Sequence, residues 1–153
     1  MSTSTLSAEQ SRFIEDLAAL LVTWTMPANA ARLYGYLQLR CDPVTLDDIA
    51  RDLEISRSYA FNAARILETH GNARRLTERG SKRVLFIAGE DPGAPLRHQT
   101  ETLGKMSALI AAQKDTVSEG TANGRLTRLA RFHHDLKQAM ESVILPDGQP
   151  DAV

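Results

Sequence analysis

Apolar residues in the segment 45–70 recur at intervals of three and four, the spacing of one face of an α-helix. Two such runs are present, and a short turn around Ile55 separates them. The first run comprises Leu46, Ile49, Ala50 and Leu53, and the second comprises Ala60, Ala63, Ala64 and Leu67. Because small residues allow two helices to approach closely, the second run predicts a helix that packs tightly on the first, as in a helix-turn-helix.

The ends of both predicted helices carry residues that favour helix termination or capping. Thr45 can cap the first helix, and Asp47 and Asp48 lie in its first turn, where the helix dipole favours negative charge. Ser56 can cap the second helix, and Gly71 stands where a glycine commonly ends one. The caps and the apolar spacing therefore predict the same two helices.

A basic β-hairpin is predicted directly after the second helix. Residues 73–77 and 82–88 have the pattern of two strands around the turn 78–81. The segment from Ile55 to Ala88 contains seven basic and two acidic residues, a net charge of +5, in a chain whose formal net charge is −1. Such a local excess is typical of a phosphate-binding surface, and the alternative is an ordinary solvated hairpin.

Further helices are predicted on both sides of this segment. Residues 7–10 form a capping box that opens a helix running towards Thr25, and Pro27 suits the start of another that runs to about Arg40. The apolar face of the first comprises Phe13, Leu17, Leu20 and Trp24, widened by Ile14 and Leu21. After a turn-rich linker at 90–95, two longer helices are predicted at about 96–119 and 123–145, separated by Gly120 and by Asn123-Gly124.

Both C-terminal helices carry a seam of residues that repeats every three or four positions. The seams comprise Leu103, Met106, Ile110, Gln113 and Val117 in one helix, and Leu126, Leu129, His133, Leu136, Met140 and Val143 in the other. We expect these helices to pack against each other and against a partner; the alternative is a hairpin that buries its own seam. His133 is either a neutral, hydrogen-bonded histidine or a pH- or metal-responsive contact, and His134 points about 100° away from it.

Composition narrows the class of protein. A chain of 153 residues with 5% aromatic residues, and with Ala and Leu at its core positions, suits packed helices. Its single cysteine, Cys41, excludes an internal disulfide framework and leaves a redox role as an open alternative. Without a long apolar stretch or a signal peptide, we expect a soluble, cytoplasmic protein. Zinc-ligand spacings and enzyme motifs are also absent, so the sequence predicts no metal, no cofactor and no enzymatic activity.

The order of elements and the segment 26–71 resemble the MarR superfamily of winged-helix regulators, with the GbsR-like branch the most similar. The resemblance rests on Gly35-Tyr36-Leu37, on the L-x-x-[IL]-A-x-x-L pattern from Leu46 to Leu53, and on Ile55-Ser56. It covers about residues 10–145. It implies a mainly α fold with a small β wing, with an N-terminal dimerisation helix at 7–25, a winged helix-turn-helix at 26–89 and a C-terminal dimerisation region at 95–145. The tail at 146–153 is predicted to be disordered.

Polar and basic residues of the second helix and the hairpin are the predicted DNA contacts. Their side chains can form hydrogen bonds to base edges and phosphates. In the helix these residues are Ser56, Arg57, Ser58, Tyr59, Asn62 and Arg65, and in the wing they are Arg75, Arg79, Lys82 and Arg83. The predicted function is that of a dimeric, sequence-specific transcriptional regulator that binds an imperfect palindrome in double-stranded DNA. The alternative is a winged helix for protein–protein contact, with Tyr59 and Phe61 as apolar anchors.

The resemblance also implies a small-molecule effector that modulates a repressor. Many relatives bind one between the dimerisation helices and the DNA-binding domain. The residues predicted to line such a pocket here are Trp24, Met26, Tyr34 and Tyr36. Tyr34 and Tyr36 are two positions apart on a helix and point about 200° apart, so at most one of them can join Trp24 around one cavity. The alternative is that these residues only pack the core.

Overall fold

The structure, a computed structural model, describes residues 6–144. The predicted disordered tail at 146–153 lies outside the described residues. The chain divides after Pro92 into two compact units. Among residues 6–144, no helix combines the length and the apolar character that crossing a bilayer requires.

The first unit contains four helices followed by a β-hairpin. Its elements are α1 (Ala8–Val22), α2 (Ala28–Leu39), α3 (Leu46–Leu53), α4 (Arg57–Thr69), β1 (Ala73–Thr77) and β2 (Val84–Ala88). The helix-turn-helix and the hairpin are therefore confirmed. β2 begins two residues later than predicted, because the Arg83 N–H donates to the Ser81 hydroxyl at 3.0 Å and so prolongs the turn.

The predicted caps are present at three helix starts. The Ser7 hydroxyl accepts from the Gln10 N–H at 3.1 Å, and the Thr45 hydroxyl accepts from the Asp48 N–H at 3.1 Å; in both cases the partner side chain returns a bond to the capping residue. The Ser56 hydroxyl accepts from the Tyr59 N–H at 3.0 Å. These bonds satisfy N–H groups that a helix leaves without intrahelical partners.

One apolar core joins the elements of the first unit. Its largest fully buried side chains include Leu33 and Tyr36 of α2, Ile49 of α3, Leu67 of α4 and Phe86 of β2. The three alanines of the second predicted run, Ala60, Ala63 and Ala64, are buried as well. The predicted inward faces of α3 and α4 are therefore confirmed.

The hairpin is anchored at its base by backbone contacts that the sequence did not predict. β1 and β2 pair antiparallel from Ala73 opposite Ala88 to Thr77 opposite Val84. Val44, in the loop before α3, exchanges two backbone hydrogen bonds with Phe86, of 3.0 and 2.8 Å. Val44 thus forms an isolated antiparallel β-bridge with β2, on the edge of the sheet that β1 does not occupy.

Helix α1 packs on α2 through a narrower face than the sequence predicts. Ile14 and Ala18 are its buried residues, and α1 ends at Val22 instead of running to Thr25. Leu20 and Trp24 are 68% and 74% exposed, and Phe13 is exposed as well. The apolar face that these three residues form is therefore not used within this unit.

The second unit is a pair of long helices, α5 (Ala94–Val117) and α6 (Gly120–Ile144). The predicted break at Gly120 is confirmed, whereas the predicted break at Asn123-Gly124 is wrong, because both of these residues lie inside α6. The turn is made by Gly120, whose φ of +58° lies in the left-handed region that favours glycine. The Asn123 side chain donates to the Lys114 carbonyl at 3.2 Å and to the Asp115 carboxylate at 2.9 Å, and so caps the end of α5.

Small and polar residues bring α5 and α6 together. The Ser107 hydroxyl donates to the Ala130 carbonyl at 2.9 Å, Thr100 is buried, and Gly104 leaves space for the Lys137 stem. The expected packing of the two helices on each other is confirmed. Much of the predicted seam stays exposed within this unit: Met106, Val117, Leu129, Leu136 and Val143. His133 lies half-buried, with its Nδ1 atom 3.0 Å from the Leu129 carbonyl oxygen.

Candidate nucleic-acid interface

The outward face of α4 carries the predicted helix contacts. Because Ala60, Ala63 and Ala64 face the core, Ser58, Asn62 and Arg65 lie on the opposite side of the helix. The residues of α4 predicted to contact DNA are all exposed: Arg57, Ser58, Tyr59, Asn62 and Arg65. Ser56 is exposed too, but its hydroxyl is engaged in capping the helix. The face therefore presents donors and acceptors over the first three turns of α4.

Two aromatic side chains flank this polar face. Tyr59 is 59% exposed and Phe61 is 43% exposed. Helical geometry places them on opposite sides of the line through Ser58, Asn62 and Arg65. They are compatible with apolar contacts to bases and with the apolar anchors of a protein-binding face.

The tip of the wing is strongly basic. Arg79, Lys82 and Arg83 are exposed, and Gly80 between them has a φ of +81° that shapes the turn. Within residues 6–144, none of these three cations lies within ion-pair distance of a carboxylate. Their charge is therefore available to a ligand.

Arg75 is held differently from the other predicted wing contacts. Its guanidinium lies 3.1 Å from the Glu68 carboxylate and 5.6 Å from the centre of the Phe86 ring. These contacts join β1 to α4 and to the inner face of β2. Arg75 thus fixes the position of the wing, and DNA contact by this residue stays a prediction.

The starts of α3 and α4 and the wing line one open cleft. Its volume is about 400 Å³, and its lining residues are Thr45, Leu46, Asp47, Asp48, Arg57, Lys82, Arg83 and Val84. Three basic residues, Arg57 of α4 and Lys82 and Arg83 of the wing, are among those that line it. One of them, Arg57, lies 3.5 Å from the Asp47 carboxylate.

A polar network supports α3 from the side of the core. The Tyr36 hydroxyl donates to Asp52 at 2.6 Å, and the Arg51 guanidinium bridges Asp52 at 3.1 Å and Asp48 at 3.2 Å. Burial, and then the hydrogen bond to Asp52, raise the pKa of Tyr36 above its usual range. Partial burial acts to raise the pKa of Asp48, but hydrogen bonds from Thr45 and the charge of Arg51 together lower it.

This network was missed at the sequence level. The three- and four-residue spacing of Asp48, Arg51 and Asp52 indicates only a local ion pair on one helix face. The participation of Tyr36, which lies 16 positions before Asp52, depends on the tertiary packing of α2 against α3. Sequence spacing carries no signal for such a contact.

The structure does not bring the four predicted effector residues together. Tyr36 is fully buried, whereas Trp24 is 74% exposed. Met26 and Tyr34 are partly buried against the core. A cavity of about 340 Å³ lies elsewhere in the first unit, between α1, α2 and α3. Arg32 crosses this region, donating to Glu15 and to the Leu53 carbonyl, each at 2.8 Å.

A helix-turn-helix followed by a two-stranded antiparallel hairpin is the arrangement of a winged helix-turn-helix. No protein-family model matches this chain, and no curated protein matches it either. A solved structure described as the crystal structure of a transcriptional regulator superposes with a TM-score of 0.73. The superposition covers 89% of this chain and 95% of that chain, at 18% sequence identity. This likeness shows the fold, which is mostly helical with a small antiparallel sheet.

Proposed function

We propose that this chain is a winged-helix transcriptional regulator of the MarR superfamily, related to its GbsR-like branch. The observation that carries the proposal is the combination, in one compact unit, of an exposed polar face on α4 with a wing tip whose cations are not paired. The fold shared with a protein described as a transcriptional regulator supports it. The absence of enzyme motifs from the sequence supports a function in binding without catalysis.

The proposed binding mode assigns separate tasks to α4 and the wing. Arg57, Ser58, Tyr59, Asn62 and Arg65 enter the major groove, where the bases display distinct hydrogen-bonding patterns. Ser56 caps α4 at the DNA backbone. The wing cations Arg79, Lys82 and Arg83 follow the backbone or the adjacent minor groove, where contacts add affinity for any sequence. Arg75 contributes by holding the wing on α4.

We further propose that the protein acts as a homodimer in the cytoplasm. The exposed apolar residues of α1 and of the α5–α6 pair support dimerisation, because a soluble chain seldom leaves such faces uncovered. Two-fold symmetry predicts an operator that is an imperfect palindrome, with half-sites about 10 base pairs apart or a multiple of that.

The proposal includes repression that a small molecule relieves. The cavity between α1, α2 and α3, at about 340 Å³, has a volume in the range of small-molecule sites and supports an effector. Because Arg32 ties α1 to the end of α3 there, a molecule that displaced it would disturb the support of the DNA-binding helices.

The salt dependence of binding to a random-sequence DNA duplex tests the proposal. If about half of the basic residues between Ile55 and Ala88 contact phosphates, a dimer releases enough counterions for a slope of about −5 to −7 in log affinity against log salt. Replacement of Arg79, Lys82 and Arg83 by alanine should make this slope shallower. The matched control replaces three exposed cations of the second unit by alanine: Lys105, Arg128 and Arg131.

The control removes the same charge from another surface, so its slope should equal that of the native chain. A flat slope in the native protein would contradict DNA binding. It would instead favour the alternative function, a winged helix that binds a protein through Tyr59 and Phe61, whose exposed rings are suitable anchors.

A further inference from the structure

We infer that the cleft between the start of α3, the start of α4 and the wing is a phosphodiester-binding site, and that the Asp47 carboxylate occupies it in the absence of DNA. The inference rests on the proposed DNA-binding function and refines it at one residue, because Arg57 at the start of α4 here contacts a phosphate and not a base. It assigns Asp47 a role in tuning affinity that the predicted contact residues do not include.

The cleft has the charge that a phosphate requires. Arg57 enters from α4, and Lys82 and Arg83 enter from the wing, so three cations border one space of about 400 Å³. A phosphodiester presents two charged oxygens, and a guanidinium can bind both through its parallel N–H groups. Cations that converge from two separate elements can enclose such a group from two sides.

The two acidic residues of the cleft are held in different ways. The Asp48 carboxylate accepts the Thr45 N–H at 3.0 Å and pairs with Arg51, so it belongs to the capping box of α3. The Asp47 side chain is 75% exposed, and among residues 6–144 its one ion pair is with Arg57, at 3.5 Å. Asp48 therefore stabilises the helix, whereas Asp47 serves mainly to neutralise one cation of the cleft.

The Asp47–Arg57 pair is weak enough to exchange. Both side chains are at least 70% exposed, and ion pairs of this kind contribute little net free energy because water screens them. A DNA phosphate would contact Lys82 and Arg83 as well as Arg57, whereas in the described part of the chain the Asp47 carboxylate pairs with Arg57 only. The phosphate therefore replaces the carboxylate on Arg57 when the duplex docks.

Because the Asp47 carboxylate must first be displaced from Arg57, it lowers the affinity for DNA. It lowers the affinity for all sequences alike, since phosphates carry no base information. Asp47 then limits the share of the binding free energy that comes from the backbone, and leaves the contacts of Asn62 and Arg65 with base edges unaffected. The residue would suppress binding to non-operator DNA at low salt, where backbone contacts are strongest.

The test compares single and double variants of the full chain on a random-sequence duplex. Asp47→Asn should tighten binding about two- to fivefold, the range expected for release of an exposed ion pair. In an Arg57→Gln background the same change should give less than half of that gain, because the cation that Asp47 neutralises is gone. Glu101→Gln removes an exposed carboxylate of α5, on the side of the helix away from Met106 and Val117, and should leave affinity unchanged.

A second measurement locates the phosphate without relying on Asp47. Replacing single phosphates by uncharged methylphosphonates, along a duplex of fixed sequence that the native chain binds, should weaken binding at several positions per half-site. At one of them, the phosphate that occupies the cleft, the weakening should disappear in Arg57→Gln, whereas it should persist at the others. Free inorganic phosphate and sulfate, compared at equal ionic strength, should not show this dependence on position. The inference concerns a phosphodiester that the duplex holds in place.

Two results would overturn the inference while leaving DNA binding intact. One is equal tightening by Asp47→Asn and Glu101→Gln, which would indicate a general effect of net charge. The other is a methylphosphonate profile that Arg57→Gln does not change. A native chain with no salt-dependent binding would instead overturn the proposed function itself, so the two failures are distinguishable.

Discussion

The buried hydroxyl of Tyr36 links the interior of the first unit to the start of the helix-turn-helix. It donates to Asp52, whose side chain is only 2% exposed, and Arg51 extends the link to Asp48 in the first turn of α3. Burial, together with the Asp52 hydrogen bond, keeps Tyr36 protonated in the folded chain at pH values where an exposed tyrosine ionises. Stability must therefore depend on pH in the alkaline range.

The sign of that dependence follows from the raised pKa. Below the ordinary tyrosine pKa of about 10, both states are protonated and the contribution is complete. Above it the unfolded chain loses a proton that the folded chain keeps, so the free energy of unfolding falls as pH rises. Tyr36→Phe should cost about 1–2 kcal/mol at neutral pH and make the alkaline decline less steep, as measured by urea unfolding.

Tyr59→Phe is the matched control, since the Tyr59 side chain is exposed on α4. It should leave both the neutral stability and the alkaline decline close to those of the native chain. Equal losses in the two variants would show that the Tyr36–Asp52 bond does not contribute specifically.

At this scale the sequence predicts which residues face outward better than it predicts what they touch. Asn62 and Arg65 follow from the periodicity of α4, because buried alanines define the opposite face. The pairing of Arg75 with Glu68 and Phe86 does not follow, since it depends on how the hairpin folds back on α4. A long basic side chain such as that of Arg75 can reach several partners. The spacing of residues along the sequence does not determine which partner it contacts.

Among the elements, the hairpin is the one most constrained by backbone contact. The Gly89 N–H donates to the Asn72 carbonyl at 2.9 Å, and a Cβ atom at Gly89 would lie 2.2 Å from the Gly71 carbonyl oxygen. Gly89→Ala must therefore displace the base of the wing, with an expected loss of about 1–3 kcal/mol, comparable to overpacking.

Gly124→Ala is expected to have the opposite effect on stability to Gly89→Ala. Gly124 lies inside α6, and nothing stands within 4 Å of the position that its Cβ would take. Alanine should stabilise that helix by about 0.5–1 kcal/mol, because glycine costs more conformational entropy. Thermal unfolding followed by circular dichroism checks both changes, and a destabilised Gly124→Ala would contradict the described path of α6.

The turn between α5 and α6 shows why local signals mislead. Asn-Gly is a strong turn signal by itself, so the sequence predicts a break that includes Asn123-Gly124 as well as Gly120. In the structure, the Asn123 side chain instead binds the end of α5, and Gly120 makes the turn. The boundaries of α3 and α4 were predicted well because Thr45 and Ser56 cap through bonds to residues three positions away.

For the molecule as a whole, the exposed apolar residues of α6 are the features most relevant to assembly. Leu136 is 37% exposed, and Leu129 and Phe132 near it are exposed too. If these side chains pack against a second copy, Leu136→Glu places charge in the interface and should convert the dimer to a monomer. Sedimentation velocity across a range of concentrations measures this directly.

Gln138→Glu is the control, because Gln138 is also exposed on α6 and gains the same charge. It should remain dimeric. A native chain that sediments as a monomer at all concentrations, while binding DNA tightly, would refute the dimeric assembly. Loss of affinity in Leu136→Glu alone would show that tight binding requires two DNA-binding domains together.

The buried alanines of α4 determine how an effector could control such a dimer. At Ala60, Ala63 and Ala64 no long side chain separates α4 from its neighbours, so the helix packs closely against them. Packed cores of this kind move as bodies and do not deform gradually. Allosteric control would therefore alter the separation and tilt of two unchanged recognition helices. The effector would then change the distance between the two recognition helices. That distance either matches the roughly 34 Å repeat of the double helix or differs from it.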